Sequence, residues 1–341
     1  MKQANRFIMQ FHITGRCNLR CKHCYRTEGN VEPLSYDDVI AVVDQYEILM
    51  NRYNREHNLS RKGQINLTGG EPFIREDIFD IINYIGRRKL PFGVLTNGSF
   101  LDDRAIQCLK RNKVSIVQLS IDGNCDTHDS LRAAGDDKRT FLVAKRLEAE
   151  GIKTLIRFTA NQKNYKELSS VAEECRKLEI SKLWSDRLVP IGNGENLCEL
   201  EITEEILPEY LRELKNAKGD RLTQALYPKT QVSMDRALQF LESDSSIYCC
   251  SAGDSLITVD EFGRVMPCRR MPILCGDVFH STLEEIYYHH EVFLQLRRKT
   301  VPSECMKCQY ALDCRGGAKC QSYAKYQDYN RADPACPLRE K

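Results

Sequence analysis

Residues Phe7–Tyr25 read FIMQFHITGRCNLRCKHCY. Phe7 to Ile13 alternate and are rich in large apolar side chains, as a strand should be, and they run straight into a Gly15-Arg16-Cys17 loop. That loop carries three cysteines, Cys17, Cys21 and Cys24, in the spacing CxxxCxxC. A strand that feeds a ligand-bearing loop and then a helix is one βα unit, and the same unit recurs downstream.

The first helical pattern spans about Tyr36 to Tyr53. Strand Gln64–Thr68 precedes a helix near Glu76–Arg88, and strand Phe92–Thr96 precedes one near Asp102–Arg111. Strand Ser115–Ile121 leads to a helix near Lys138–Glu150, strand Lys153–Thr159 to one near Tyr165–Leu178, and a sixth strand lies near Lys182–Pro190. Strands alternating with helices of this length imply right-handed crossovers and a parallel sheet. Six units are too few to close an eight-stranded barrel, so an α/β fold, a partial (β/α)6 TIM-like barrel, is expected over residues 1–198; a doubly wound sheet fits the same alternation. A charged helical bridge is expected over 199–248 and a small cysteine-rich domain over 249–341, while the polar stretch Asn51–Lys62 reads as a solvated loop.

In either sheet, the loops after the strands form one mouth, and the polar and glycine-rich segments fall there. Besides Cys17–Cys24 they are Thr68-Gly69-Gly70-Glu71-Pro72, Thr96-Asn97-Gly98 and Ser120-Ile121-Asp122-Gly123.

Fifty Lys and Arg against 48 Asp and Glu give a net charge of +2, which removes the basic footprint of a nucleic-acid binder. The N-terminus lacks a signal peptide and no apolar run reaches about 18 residues, so a cytoplasmic protein with no membrane partner is expected. Sixteen cysteines in 341 residues are too many for an ordinary enzyme, and the chain is too long for a disulfide scaffold. Three lie between Cys17 and Cys24 and nine between Cys249 and Cys336, which implies two metal regions. Three thiolates on one loop can hold three irons of a four-iron cluster and leave the fourth iron open; a zinc site completed by His23, or buried free thiols, are the alternatives. The dense later run, CxxC at Cys305 and Cys308 followed by Cys314, Cys320 and Cys336, can close a complete cluster or a zinc site.

On CxxxCxxC after the first strand and Gly69-Gly70-Glu71-Pro72 after the second, the chain resembles the radical S-adenosylmethionine (SAM) superfamily. The resemblance implies a [4Fe-4S] cluster on Cys17, Cys21 and Cys24 whose open iron chelates SAM, and reductive cleavage of SAM to a 5′-deoxyadenosyl radical that abstracts a hydrogen atom from substrate. It assigns Gly69, Gly70 and Glu71 to the methionine ammonium, backbone and carboxylate both taking part, and Ser120 and Arg132 to the ribose and carboxylate of SAM. Thr96, Asn97 and Asp122 are looser cofactor contacts, and His23 holds the place that meets the adenine.

The C-terminal cysteines resemble the SPASM domain, which holds auxiliary [4Fe-4S] clusters. The resemblance makes Cys305, Cys308, Cys314 and Cys336 ligands of an outer cluster, and Cys250 and Cys268 ligands of an inner one. Where the pattern requires another cysteine this chain has Ala318, with Cys320 two residues on. The inner cluster then draws on Cys320, with Cys249 or Cys275 as a further ligand, or is incomplete, so one or two auxiliary clusters are expected.

Cys125 and Cys198 follow the fourth and sixth strands and are candidate catalytic hydrogen or proton donors; Glu195 is a candidate acid or base. Enzymes of this two-part plan act on peptides or proteins (crosslinking, epimerisation, oxidation), others on haem precursors or other small molecules. A peptide or protein substrate is the leading expectation, with an external electron donor of flavodoxin or ferredoxin type. Because the barrel starts within the first ten residues, a leader peptide is expected to need a separate recognition protein, or recognition by the barrel and bridge. A non-catalytic iron–sulfur or zinc protein is the contrasting class.

Overall fold

Phe7, Met9, Phe11 and Ile13 are each fully buried, the alternation their sequence implies. The computed structural model describes residues 6–27, 34–60, 62–243 and 246–340. Strands β1 (Arg6–Thr14), β2 (Lys62–Gly69), β3 (Phe92–Leu95), β4 (Ile116–Ser120), β5 (Thr154–Ala160) and β6 (Lys182–Arg187) pair in parallel, each with the next in chain order. Between them run α1 (Tyr36–Glu56), α2 (Ile78–Arg87), α3 (Asp103–Arg111), α4 (Cys125–Leu131), α5 (Asp136–Ala149) and α6 (Leu168–Lys177). This is the partial TIM-like barrel that the alternation predicts.

The sheet has two faces of different character. Val117, Leu119, Ile156 and Phe158 are buried and share one apolar core with Val143 and Leu147 of α5. Gln118, Ser120, Arg157 and Thr159, the alternate residues of the same strands, line a central cavity. Period two thus separates a core face from a polar face.

Two features depart from the sequence reading. Asn51–Glu56 belongs to α1 rather than to a loop: Tyr53 is buried with its ring centroid 5.2 Å from that of Phe7. The helix opens on a capping box of Ser35 and Asp38. The stretch expected to be a helical bridge does contain α7 (Leu207–Lys218) and α8 (Arg221–Leu226), yet it ends in β7 (Gln231–Ser233), which pairs in parallel with β6. Three residues carry too little periodicity to announce a strand.

The C-terminal region joins the other side of the barrel. Here β8 (Leu256–Val259) pairs in parallel with β1, and β9 (Arg264–Met266) and β10 (Gly276–Asp277) continue antiparallel, giving the order β10-β9-β8-β1-β2-β3-β4-β5-β6-β7. Then follow α9 (Leu283–His289), α10 (Glu291–Arg298), α11 (Ala311–Cys314) and α12 (Lys319–Tyr326). Tyr287 of α9 packs against both Phe7 and Tyr53. Arginine–carboxylate pairs tie this region to the barrel: Arg26 with Glu261, Arg187 with Asp333, Arg270 with Asp186 at 2.7 Å, and Arg52 of α1 with Glu284 of α9 at 2.6 Å. No helix among the described residues is long and apolar enough to cross a membrane.

Candidate active site

A cavity of about 180 Å³ lies at the carboxyl ends of β1 to β6, with Cys17, Cys21 and Cys24 in its wall. The thiol loop is held by backbone contacts. Gly70 N–H donates to Thr14 O at 2.8 Å and Glu71 N–H to Arg16 O at 2.8 Å. A Cβ on Gly70 would sit 2.1 Å from Arg16 O, and one on Gly69, at φ +141°, 2.3 Å from Thr14 O. The Gly-Gly pair is therefore what lets the second loop dock on the first. From the other side, Gly194 N–H donates to Cys24 O at 3.1 Å, and Gly192, at φ +60°, approaches Tyr25 O too closely for a side chain.

Glu71 sits behind the cavity wall. Its carboxylate is fully buried and accepts from Thr96 Oγ1 at 2.7 Å, Asn97 N–H at 2.8 Å and Phe73 N–H at 3.2 Å. It braces the loop after β3 from behind rather than facing the cavity, whose lining from this motif is Thr68, Gly69 and Gly70. Burial pushes its pKa up to about 7 against the opposition of those three donors.

Asp122 has a comparable place below the loop after β4. It is fully buried, accepts from Arg132 Nε at 2.6 Å and Thr159 N–H at 2.8 Å, and lies 3.2 Å from His23 Nε2. Burial alone would raise its pKa, but Arg132 and His23 hold it well below the carboxylate range. His23 is itself shifted downward by burial, with Asp122 opposing, and its buried Nδ1 has no hydrogen-bond partner. Arg132 also places Nη1 3.7 Å from Cys21 Sγ. Asp122, Arg132, His23 and a thiol thus form one chain of contacts across the sequence.

His23, Gly69, Gly70, Thr96, Asn97, Ser120 and Arg132 all line the cavity, as expected of cofactor contacts, while Glu71 and Asp122 lie behind it. These residues fit an iron–sulfur cluster and SAM. Three thiols share the cavity wall, Leu19 N–H donates to Cys17 Sγ at 3.4 Å, and a buried imidazole nitrogen lacks a partner. Burial raises the pKa of Cys17, and that of Cys21 to about 11, so these thiols need a metal to lose their protons.

Cys305, Cys308, Cys314 and Cys336 surround a second, small pocket whose other walls include Leu238, Phe240, Ala311 and Leu338. Cys250, Cys268 and Cys320 form a third group: burial pushes Cys320 up to about 12, and Cys268 and Cys250 add to the shift. Burial raises Cys249 too, with Cys250 adding. Cys275 feels burial alone, and its thiol donates to Ile273 O at 3.3 Å. Of the two further ligands open from sequence, Cys249 stands beside the group and Cys275 apart from it.

Cys125, Cys198 and Glu195 stand apart from the central cavity. Cys125 begins α4 on the outer side of the turn Gly123-Asn124 and lies near Asp129 and Asp137, away from the central cavity. Cys198 and Glu195 are exposed on the segment after β6 and do not line it either. What sequence reading missed is the set of arginines that line the cavity: Arg157 on β5, Arg187 at the end of β6, and Arg269 and Arg270 after β9. Only the inward alternation of β5 could have signalled Arg157, and nothing local signals the others.

The sequence model of the radical SAM superfamily matches residues 11–175, and that of the SPASM iron–sulfur cluster-binding domain matches residues 249–309. An AdoMet-dependent heme synthase of Methanosarcina barkeri is 26% identical, over 99% of this chain and 98% of its own length. The antilisterial bacteriocin subtilosin biosynthesis protein AlbA of Bacillus subtilis is also 26% identical, over 92% and 68%. Among solved structures, anSMEcpe with bound AdoMet superposes at TM-score 0.74 and 17% identity, over 97% of this chain and 90% of that one. Streptococcus suis SuiB bound to S-adenosylmethionine gives 0.71 at 16% identity, over 98% and 77%.

Proposed function

Because the chain belongs to the radical SAM superfamily and carries an iron–sulfur cluster-binding SPASM domain, we propose that it modifies a peptide by removing a hydrogen atom from it. Its cofactors are a [4Fe-4S] cluster with an open iron, SAM and auxiliary iron–sulfur clusters. When bound, cluster and SAM supply a 5′-deoxyadenosyl radical, which abstracts the hydrogen atom.

Each residue then has a task. Cys17, Cys21 and Cys24 hold the cluster, and Gly69, Gly70, Thr96, Asn97, Ser120, Arg132 and His23 contact SAM. Glu71 and Asp122 position those groups without touching it. Cys305, Cys308, Cys314 and Cys336 hold the outer auxiliary cluster; Cys250, Cys268 and Cys320, with Cys249, hold the inner one. Electrons enter from an external flavodoxin- or ferredoxin-type donor. The observation that carries the reading is the trio of thiols in a cavity wall where no fourth thiol among the described residues joins them.

A peptide is supported by likeness to the AlbA protein over 92% of this chain and to the mycofactocin maturase MftC of Mycolicibacterium smegmatis over 96% of it. A second reading, a haem precursor as substrate, is supported by the heme synthase likeness along the whole chain and by the arginines in the cavity. The deciding assay is anaerobic. The reconstituted, reduced protein is given SAM with either Fe-coproporphyrin III or the product of any short reading frame found beside its gene. We expect 5′-deoxyadenosine and a mass change in the peptide alone; turnover of the porphyrin alone selects the second reading, and no 5′-deoxyadenosine with or without either substrate sinks both.

A further inference from the structure

Every charged side chain among the described residues of the central cavity's lining is an arginine; none is Asp or Glu. Most of these cations are answered from behind the wall. Arg26 pairs with Glu261, Arg132 with Asp122, Arg187 with Asp333 and Arg270 with Asp186. Arg20 donates to the carbonyls of Cys17 and Leu19 and is the cation acting on the Cys17 thiol, as Arg132 is for Cys21.

Arg157 and Arg269 stand apart. Neither has a carboxylate within 4.0 Å among the described residues, and the buried Nε of Arg157 has no hydrogen-bond partner. The acids that act on Arg157, Asp186 and Asp122, are each engaged by another arginine. Arg269 is 8% exposed and lies over the Tyr25 ring at 5.1 Å, and of the two arginines that act on the Cys268 thiol Arg270 has the larger effect. Arg157 and Arg269 also act on each other as like charges. Two guanidinium groups turned into one cavity without counter-charges would normally be too costly to keep.

We propose that Arg157 and Arg269 form a subsite for a carboxylate of the substrate. A carboxylate presents two coplanar oxygens that a guanidinium fork can take in pairs. The inference rests on the cavity being the reaction chamber of the proposed enzyme, and it deepens that reading. An acidic peptide side chain, a peptide C-terminus and a porphyrin propionate all carry the group, so the subsite selects for chemistry common to both readings. Its geometric consequence is that the substrate enters carboxylate-first, anchored on β5 and on the turn after β9.

The test is a chemical footprint that needs no turnover. The reconstituted holoenzyme is treated with phenylglyoxal, and modification of each arginine is followed by peptide mass spectrometry, alone and with SAM, glutarate or glutaramide. Glutarate, added on top of SAM at about ten times its Kd, should slow modification of Arg157 and Arg269 about tenfold. Uncharged glutaramide should not, and Arg157→Gln should remove the protection of Arg269. Equal protection by glutaramide, no protection by glutarate, or continued protection of Arg269 in Arg157→Gln each overturns the shared subsite. Full protection by SAM alone assigns the pair to SAM's own carboxylate and overturns the substrate role. Loss of 5′-deoxyadenosine formation, by contrast, would count against the enzymatic reading and not against this anion site.

Discussion

The thiols at the two ends of the chain stand in opposite surroundings. Cys17, Cys21 and Cys24 sit half-buried on a loop held by backbone hydrogen bonds, at the edge of a polar cavity. Cys305, Cys308, Cys314 and Cys336 enclose a small pocket with largely apolar walls, and burial pushes Cys314 up to about 12. Three ligands leave a metal position for chemistry; four shut it away from solvent and suit electron storage or structure. Spacing alone signals a cluster in both places, and the number of thiols around each space separates their roles.

The comparison breaks most visibly on ligand removal. Cys24→Ala should abolish 5′-deoxyadenosine formation outright, and iron analysis should fall from about twelve to about eight per chain. Cys314→Ala should cost a similar amount of iron yet leave substrate-free SAM cleavage measurable. If Cys314→Ala silenced cleavage as completely as Cys24→Ala, the division between an open and a closed centre would be wrong.

A smaller effect is expected at the joint between the regions. Asp333 is fully buried beside the outer thiols, pairs with Arg187 at the end of β6, and also accepts from Ala318 N–H at 3.2 Å and Ala335 N–H at 3.1 Å. Asp333→Ala leaves a buried guanidinium without its counter-charge, a change that costs about 3–5 kcal/mol. The urea midpoint of the reconstituted protein should drop accordingly, and the outer cluster should be lost before the N-terminal one. Loss in the reverse order would mean that Asp333 does not support the outer group.

Much of this was legible in sequence because the barrel repeats one unit and its chemistry sits in loops with unusual residues. Six strands, their helices, the thiol loop and the Gly69-Gly70 dock each leave a local mark. Strand β7 left none, since three residues cannot display a period. Long-range pairings were equally silent: nothing near Arg187 announces Asp333, 146 residues away. That Cys125 and Cys198 stand away from the cavity was not legible, because position after a strand does not say which way a side chain points once a turn intervenes. Arg157 was hidden in plain view, read as one more strand residue when its alternation with Ile156 and Phe158 already put it on the cavity face.

The subtlest test concerns Glu71, the brace of the N-terminal site. Burial lifts its pKa from the ordinary 4.5 to about 7. The unfolded chain therefore gives up this proton near its usual pKa of about 4.3, while the folded chain keeps it almost to neutrality. Between those values the folded state binds the extra proton, so stability contributed here falls as pH rises through the window and levels off above about 7. At 1.36 kcal/mol for each pH unit the whole slope amounts to about 4 kcal/mol. Glu71→Gln cannot titrate, so its urea midpoint, followed by circular dichroism between about pH 5 and 8, should lack this component of the slope. The amide turns one donor toward the Thr96–Asn97 loop, which lowers its stability at every pH by about 1–3 kcal/mol. If wild type and variant instead gave parallel curves, Glu71 would be ionised throughout, its three donors outweighing burial, and it would stand as a fixed negative charge beneath the thiol loop rather than a neutral strut.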